Sequence, residues 1–185
     1  MNFYKALDKQ IYSRDGYSIV PIRIEDRYDI MRWRNEQIYH LRQNKPLTKE
    51  EQDNYFDNVV TGLFTDAFPK QLLFSYLKDE KCIGYGGLVH INWIDKNAEI
   101  SFIMDTSLEE NFFLFHWKKY LELIEEAAFF DLKLHKIYVY AFDLRPHLYE
   151  ALQECNFFLD AVLKEHCLYN GRYIDVIIYS KTNSL

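Results

Sequence analysis

The 185-residue sequence predicts an α+β (mixed α/β) fold, a twisted mixed sheet of about seven strands flanked by helices on both faces. Three observations lead there. Hydrophobic residues switch between a period of two and a period of 3.6 along the chain. Three strand-like segments follow one another across short polar turns, the pattern of an antiparallel meander. After them, helical and strand-like segments alternate before a terminal hairpin.

Each element has its own signal. A polar arm over 1–16 precedes "YSIVPIRI" (17–24), a strand in which Pro21 suggests an edge or an irregularity. A helix follows over about 25–34. The next helix is better marked: Pro46 opens it and Thr48-x-x-Glu51 offers a capping box, with an end near Gly62. Then "QLLFSYLK", "KCIGYGGLVHINW" and "AEISFIMD" form the meander, with Gly86 and Gly87 marking a bulge or a closely approached backbone. A helix over about 111–130 places Phe113, Trp117, Tyr120, Leu121, Ile124, Ala127 and Ala128 on one stripe, which reads as core. The strand "HKIYVYAF", a helix over about 145–155 and two strands joined by Asn170-Gly171, a two-residue hairpin signal, complete the chain.

Hydrophobic residues make up 49% of the chain, and its 15 Tyr and 14 Phe are spread along it. That composition excludes disordered and low-complexity classes and suits one domain over 1–185. A net charge of −6 argues against nucleic acid as the main partner. Arg32, Arg34, Arg42 and Lys45 nevertheless form a basic island, either a solvated helix face or a site for a phosphorylated or acidic small ligand. Cys82, Cys155 and Cys167 form no CxxC pattern and suit a reducing compartment. With no apolar run of membrane-spanning length, the expectation is a cytoplasmic protein with no membrane partner. No HExxH or His-x-His spacing favours a metal, and no GxSxG, Walker or GxGxxG motif is present.

Pairing the meander across 94–97 sets His90 opposite Ser101 and Asn92 opposite Glu99. These four share a polar face, with Leu88 and Ile103 continuing it, while Val89, Ile91, Trp93, Ala98, Ile100 and Phe102 take the core face. Such a face is either simply solvated or the floor of a cleft. In the terminal hairpin His166 is expected opposite Asp175, a structural clasp or a pair with a more basic imidazole.

The segments "IVPIRIEDRYDIMRWRNE", "CIGYGGLVHINWIDKNAEISFIMD" and "CNFFLDAVLKEHCLYNGRYIDVIIYS", in that order, resemble the GNAT superfamily of acetyl-CoA-dependent N-acetyltransferases. The likeness is closest to its ribosomal-protein-alanine and amino-sugar branches. It implies a sheet splayed between 98–104 and 136–141 to admit the pantetheine arm of acetyl-CoA, a co-substrate used without a metal. By the same resemblance the backbone at Phe102, Ile103 and Met104 would bond that arm and N–H groups near Ile103 would polarise the carbonyl. Glu110, Asn111 and Phe112 stand where the family's pyrophosphate loop falls, here without its glycines; Ser107-x-x-Glu110 offers a capping box instead. Arg145 replaces an asparagine common at the start of the last helix. The family's acid tyrosine falls on Leu152, with Tyr149 a substitute one turn earlier.

The implied reaction is acetyl transfer to the amine of a small molecule. The Trp33-Arg34-Asn35 segment, which resembles that of amino-sugar acetyltransferases, and the basic island that includes Arg32 favour an amino sugar nucleotide over a protein N-terminus. Glu99 is the first choice of base and His90 the second, with Asn92, Ser101, His166 and Asp175 as further substrate contacts and a monomer or homodimer as the assembly. The alternative is a non-catalytic GNAT-fold module for ligand binding or assembly.

Overall fold

The computed structural model describes residues 2–183. Its sheet has eight strands: β1 (Tyr12–Arg14), β2 (Tyr17–Pro21), β3 (Leu72–Lys78), β4 (Lys81–Asn92), β5 (Asn97–Met104), β6 (Lys136–Phe142), β7 (Phe158–Tyr169) and β8 (Arg172–Thr182). They lie in the order β1-β2-β3-β4-β5-β6-β8-β7. Only the β5–β6 pair is parallel; the other neighbours are antiparallel.

The strand beyond the expected seven is β1, inside the segment read as an arm. Polar neighbours hide its anchors: Tyr4, Leu7 and Tyr12 are buried. The Tyr4 hydroxyl donates to Leu73 O (2.6 Å) and accepts from Leu73 N (3.1 Å), which serves the β3 backbone where β2 ends. Pro21 closes β2. Ile22 N–H donates to Leu73 O (2.9 Å), so the Pro21 nitrogen faces the opposite side, beyond Tyr12, the first residue of β1 and the partner of Ile19, and no ladder bond is lost there.

Four helices cover the sheet: α1 (Arg27–Glu36), α2 (Lys49–Tyr55), α3 (Thr106–Glu125) and α4 (Pro146–Glu154). A 3-10 turn, Ile24–Asp26, leads into α1. The capping box of α2 forms as expected: Glu51 N donates to Thr48 Oγ1 (3.2 Å) and Thr48 N to Glu51 Oε2 (2.9 Å). Thr48→Ala should therefore lower stability by about 1 kcal/mol, read as a reduced chemical-denaturation midpoint. The helix continues through a π turn, Phe56–Val60, to Leu63.

On one face of the sheet α3 and the π turn that continues it, Glu126–Asp131, pack the apolar stripe, all seven residues of which are buried. Phe102 stacks on Tyr120 at 3.9 Å between centroids and meets Trp117 edge-on at 5.1 Å. On the other face α1 and α2 bring Ile30, Trp33 and Phe56 into the core.

Two registers differ from the sequence reading, both through bulges. In the meander Asn92 pairs with Asn97, but Val89 pairs with Glu99 and Gly87 with Ser101. His90 takes φ +51°, a left-handed conformation that absorbs an extra residue. The bulge reverses the parity of β4, so Leu88 is core and Val89 shares the face of Glu99 and Ser101. In the terminal hairpin Tyr169 pairs with Arg172 as expected, yet a second bulge, with Glu165 at φ +50°, separates Leu163 from Cys167. Asp175 accepts from Lys164 Nζ (2.6 Å) and Glu165 N (2.9 Å). His166 lies instead beside Tyr140, at 6.3 Å between centroids, so the expected His166–Asp175 pair does not form.

Candidate active site

β5 and β6 pair only at Asn97–Lys136, Ala98–Ile137 and Glu99–Tyr138. Beyond that point β5 stays with β4 and β6 with β8, so the two strands diverge and expose facing backbone edges. Between them opens a narrow cleft of about 80 Å³, with Glu99, Ser101, Phe102, Tyr140 and Arg145 in its wall and Trp117 on the α3 side. Residues 40–42, from the segment linking α1 to α2, line it from the opposite side.

Glu99 is the cleft's carboxylate, and only 7% of its side chain is exposed. The Arg42 guanidinium bonds it directly and lies 4.7 Å from the Tyr140 ring centroid. The His90 Nε2 is 3.8 Å away, because the bulge turns this residue back toward Glu99 despite the altered register. Burial raises the Glu99 pKa, while the nearby Arg42 and His90 charges oppose the rise. The Tyr140 hydroxyl has Cys167 Sγ as its neighbour (3.8 Å), and burial first, then that thiol, pushes its pKa up to about 12.

At the other end, α3 starts two residues after β5 ends. Asp105 caps it, accepting from Ser107 N (3.0 Å) and Ser107 Oγ (2.9 Å), in place of the expected Ser107 box. Thr106 Oγ1 donates to Glu36 (2.5 Å), and the buried Gln37 amide donates to Met104 O (2.7 Å). Glu110, Asn111 and Phe112 consequently lie within the helix, on its exposed side, rather than in a loop. Arg145, whose side chain is 10% exposed, sits 3.6 Å from Glu109 and donates to His40 Nε2 (3.3 Å). Burial, then the Arg145 charge, pushes the His40 pKa down to about 3, so this imidazole is neutral at physiological pH.

The remaining expected residues scatter. Tyr149 stacks on Tyr179 and donates to Asp143 (2.8 Å), away from the cleft lining. Arg32 pairs with Asp29 (3.1 Å) on the outside of α1. Trp33 is core, 1% exposed, and its Nε1 has no hydrogen-bond partner among the described residues. Asn35 clamps both backbone groups of Leu47 (2.9 and 2.7 Å). Asn92 builds the β4–β5 turn, bonding Ile94 N and Asp95 N. Arg34 and Ser101 do line a cavity, one of about 400 Å³ between the sheet and α1 and α2. The basic island is thus no free cationic surface, since Arg42 meets Glu99 and Lys45 meets Glu51. Sequence reasoning missed His40 and Tyr140 as cleft residues, and placed Arg42 only within the island.

The sheet thus opens between two parallel neighbours with a buried carboxylate at the fork, the arrangement implied by the resemblance to the GNAT superfamily. The chain belongs to that family: residues 19–178 match the acetyltransferase (GNAT) domain model, which assigns it to the N-acetyltransferase class. Among solved structures it is similar to spermidine N-acetyltransferase from Vibrio cholerae in complex with CoA and spermine, with TM-score 0.81 and 20% identity over 92% of this chain and 98% of that one. A dodecameric structure of that enzyme gives 0.74 and 21%, over 92% and 96%. At such identity the likeness concerns the fold. No curated protein matches the chain in sequence.

The residues fit one half of acetyl-CoA. The open β5 edge beside Glu99 suits a pantetheine arm bonded like an added strand. The glycine loop that would hold the pyrophosphate is absent, and Asp105 and Glu36 already occupy the α3 terminus, where they satisfy its dipole and repel an anion.

Proposed function

We propose that the protein transfers an acetyl group from acetyl-CoA to the amine of a small molecule, with Glu99 as the base. The observation that carries this reading is Glu99 itself, a buried carboxylate at the fork of the splayed strands. Acetyl-CoA supplies the thioester carbonyl. Glu99 takes a proton from the incoming ammonium so that the nitrogen lone pair can attack, and the walls from β5 and β6 align donor and acceptor. Arg42 holds Glu99 in the free protein and must yield to the ammonium. Tyr140, the phenol lining the cleft, is better placed than Tyr149 to protonate the departing thiolate. Phe102, Ile103 and Arg145 border the donor side and Ser101 the acceptor side. The protein works as a monomer or homodimer in a reducing compartment such as the cytoplasm. Among the described residues no helix is long and apolar enough to cross a membrane.

An amino sugar nucleotide as acceptor loses part of its motive, because Trp33 is core and Arg32, Arg42 and Lys45 meet carboxylates. A second reading, a non-catalytic module, is favoured by one observation, the acidic glycine-free start of α3. Thiol release from acetyl-CoA across a panel of amines separates the two: turnover supports the enzyme, and none in a folded sample supports the module.

The acid limb of the rate profile follows from the Glu99 environment. The base must be ionised, so activity falls as pH drops through its pKa, which burial raises. Arg42 favours the carboxylate, so Arg42→Ala should move the acid limb to higher pH. A limb unchanged in kcat/KM against pH, which reports the free enzyme, would remove Glu99 or this contact from the mechanism.

A further inference from the structure

The cavity between the sheet and α1 and α2 borders the cleft, and Ser101 lines both. Its walls are mainly apolar, with Ile22, Ile30, Phe56, Leu73 and Val89 among them, and Arg34 enters it from α1. Among the described residues this guanidinium has no carboxylate partner, whereas Arg23, Arg27, Arg32, Arg42 and Arg145 each meet one. Its bonds go to neutral groups: Nε to Gln43 Oε1 (3.0 Å) and Nη1 to the Tyr85 hydroxyl (2.5 Å). Gln43 is itself fixed by Asn35 Oδ1 (3.1 Å) and Lys45 O (3.0 Å). The fork is therefore preoriented, with Nη2 left without a partner among the described residues. Glu51, the acid lining the same cavity, is engaged by Lys45 (2.6 Å) and Thr48 N.

An oriented guanidinium in an apolar cavity, left without a protein anion, is a site for a ligand's anion. We infer that the acceptor is an amine with an apolar body and an anionic group, carboxylate or phosphate, at its far end, held by Arg34 while the ammonium faces Glu99. This rests on the acetyl-transfer reading and narrows it to an acceptor class unlike a polyamine, whose second cation Arg34 would repel. The span is set by the sheet. Glu99, Ser101 and Ile103 succeed one another on one face, and Tyr85, which bonds Arg34, pairs with Ile103. Four residues of strand cover about 13 Å, and an extended tripeptide about 10 Å.

The test uses glycylglycylphenylalanine, its C-terminal amide, an aminoalkyl phosphate and spermidine with the full-length protein, Arg34→Ala and Arg34→Lys. Thiol release from acetyl-CoA and calorimetric binding of the same compounds are both read. The wild-type protein should prefer the free carboxylate or the phosphate to the amide by about tenfold or more in kcat/KM. Arg34→Ala should lose that preference through KM, and Arg34→Lys should recover part of it, which a merely structural role would not produce. The better anionic arm identifies carboxylate or phosphate. Equal use of acid and amide, or preference for spermidine, would overturn the inference. Should no amine be acetylated, the transfer reading fails and binding decides: Arg34-dependent affinity for the anionic compounds upholds the anion site, and its absence ends it.

Discussion

Replacing Glu99 by Gln is expected to lower kcat by about 10²- to 10⁴-fold, the range that a positioned general base contributes, with a much smaller change in KM for acetyl-CoA. The substitution keeps the side chain's shape, and the amide oxygen can still accept from Arg42, so the buried site stays filled and partnered. What it removes is the proton acceptor. His90 lies 3.8 Å away but is largely exposed, and its left-handed backbone aims the ring at Glu99 rather than along the open strand edge. It can relay a proton more readily than replace the base. Steady-state kinetics at several pH values, with unfolding midpoints as a control, check this. Undiminished kcat in Glu99→Gln would place the base elsewhere.

The second large effect concerns Gly86. A Cβ there would stand 2.7 Å from the Tyr120 hydroxyl and 2.9 Å from Phe102 Cα, and closer still to Ser101 O. Two of these neighbours are backbone of β5 and the third is a fully buried ring stacked on Phe102. None is the loose end of a flexible side chain. Gly86→Ala should therefore push β5 away from β4 or displace Tyr120, lowering stability by about 3 kcal/mol, the upper part of the usual overpacking range. Since Ser101 and Phe102 form the β5 wall of the cleft, activity should fall at temperatures where the variant is still folded. Chemical denaturation and thiol release measured together test both halves, and a midpoint within error of wild type would show that the strands relax without loss.

The order of elements was legible because it depends on local patterns. The α3 stripe is a 3.6-residue repeat of large apolar side chains, and Thr48-x-x-Glu51 carries its own cap. The position of Glu99 was legible for a similar reason: residues alternate along β5 whatever its neighbour does, so Glu99 and Ser101 share a face under either register. Their partners on β4 were not. The bulge at His90 depends on a non-glycine residue taking positive φ, and no side-chain pattern announces that. The same holds for Glu165 and the lost His166–Asp175 pair.

Contacts between distant segments were hidden for another reason. Arg42 and Glu99 are 57 residues apart, and the linker carrying Arg42 has no period from which its path could be read. Tyr4 reaches Leu73 across 69 residues from a stretch whose polarity suggested a free arm. The island of Arg32, Arg34, Arg42 and Lys45 looked uniform in sequence. Folding divides it, leaving Arg34 as the member that faces a cavity with, among the described residues, no carboxylate partner of its own. The glycine-free start of α3 was visible from residues alone, but its consequence, a helix that begins directly after β5, required the backbone.

Release of free thiol from acetyl-CoA, followed for the wild-type protein and Glu99→Gln in parallel over a panel of amines, tests the central claim most directly. Turnover is expected with at least one amine in the wild type, reduced about 100-fold or more in the variant. No turnover with any amine in a folded wild-type sample, or equal turnover in both proteins, would contradict it.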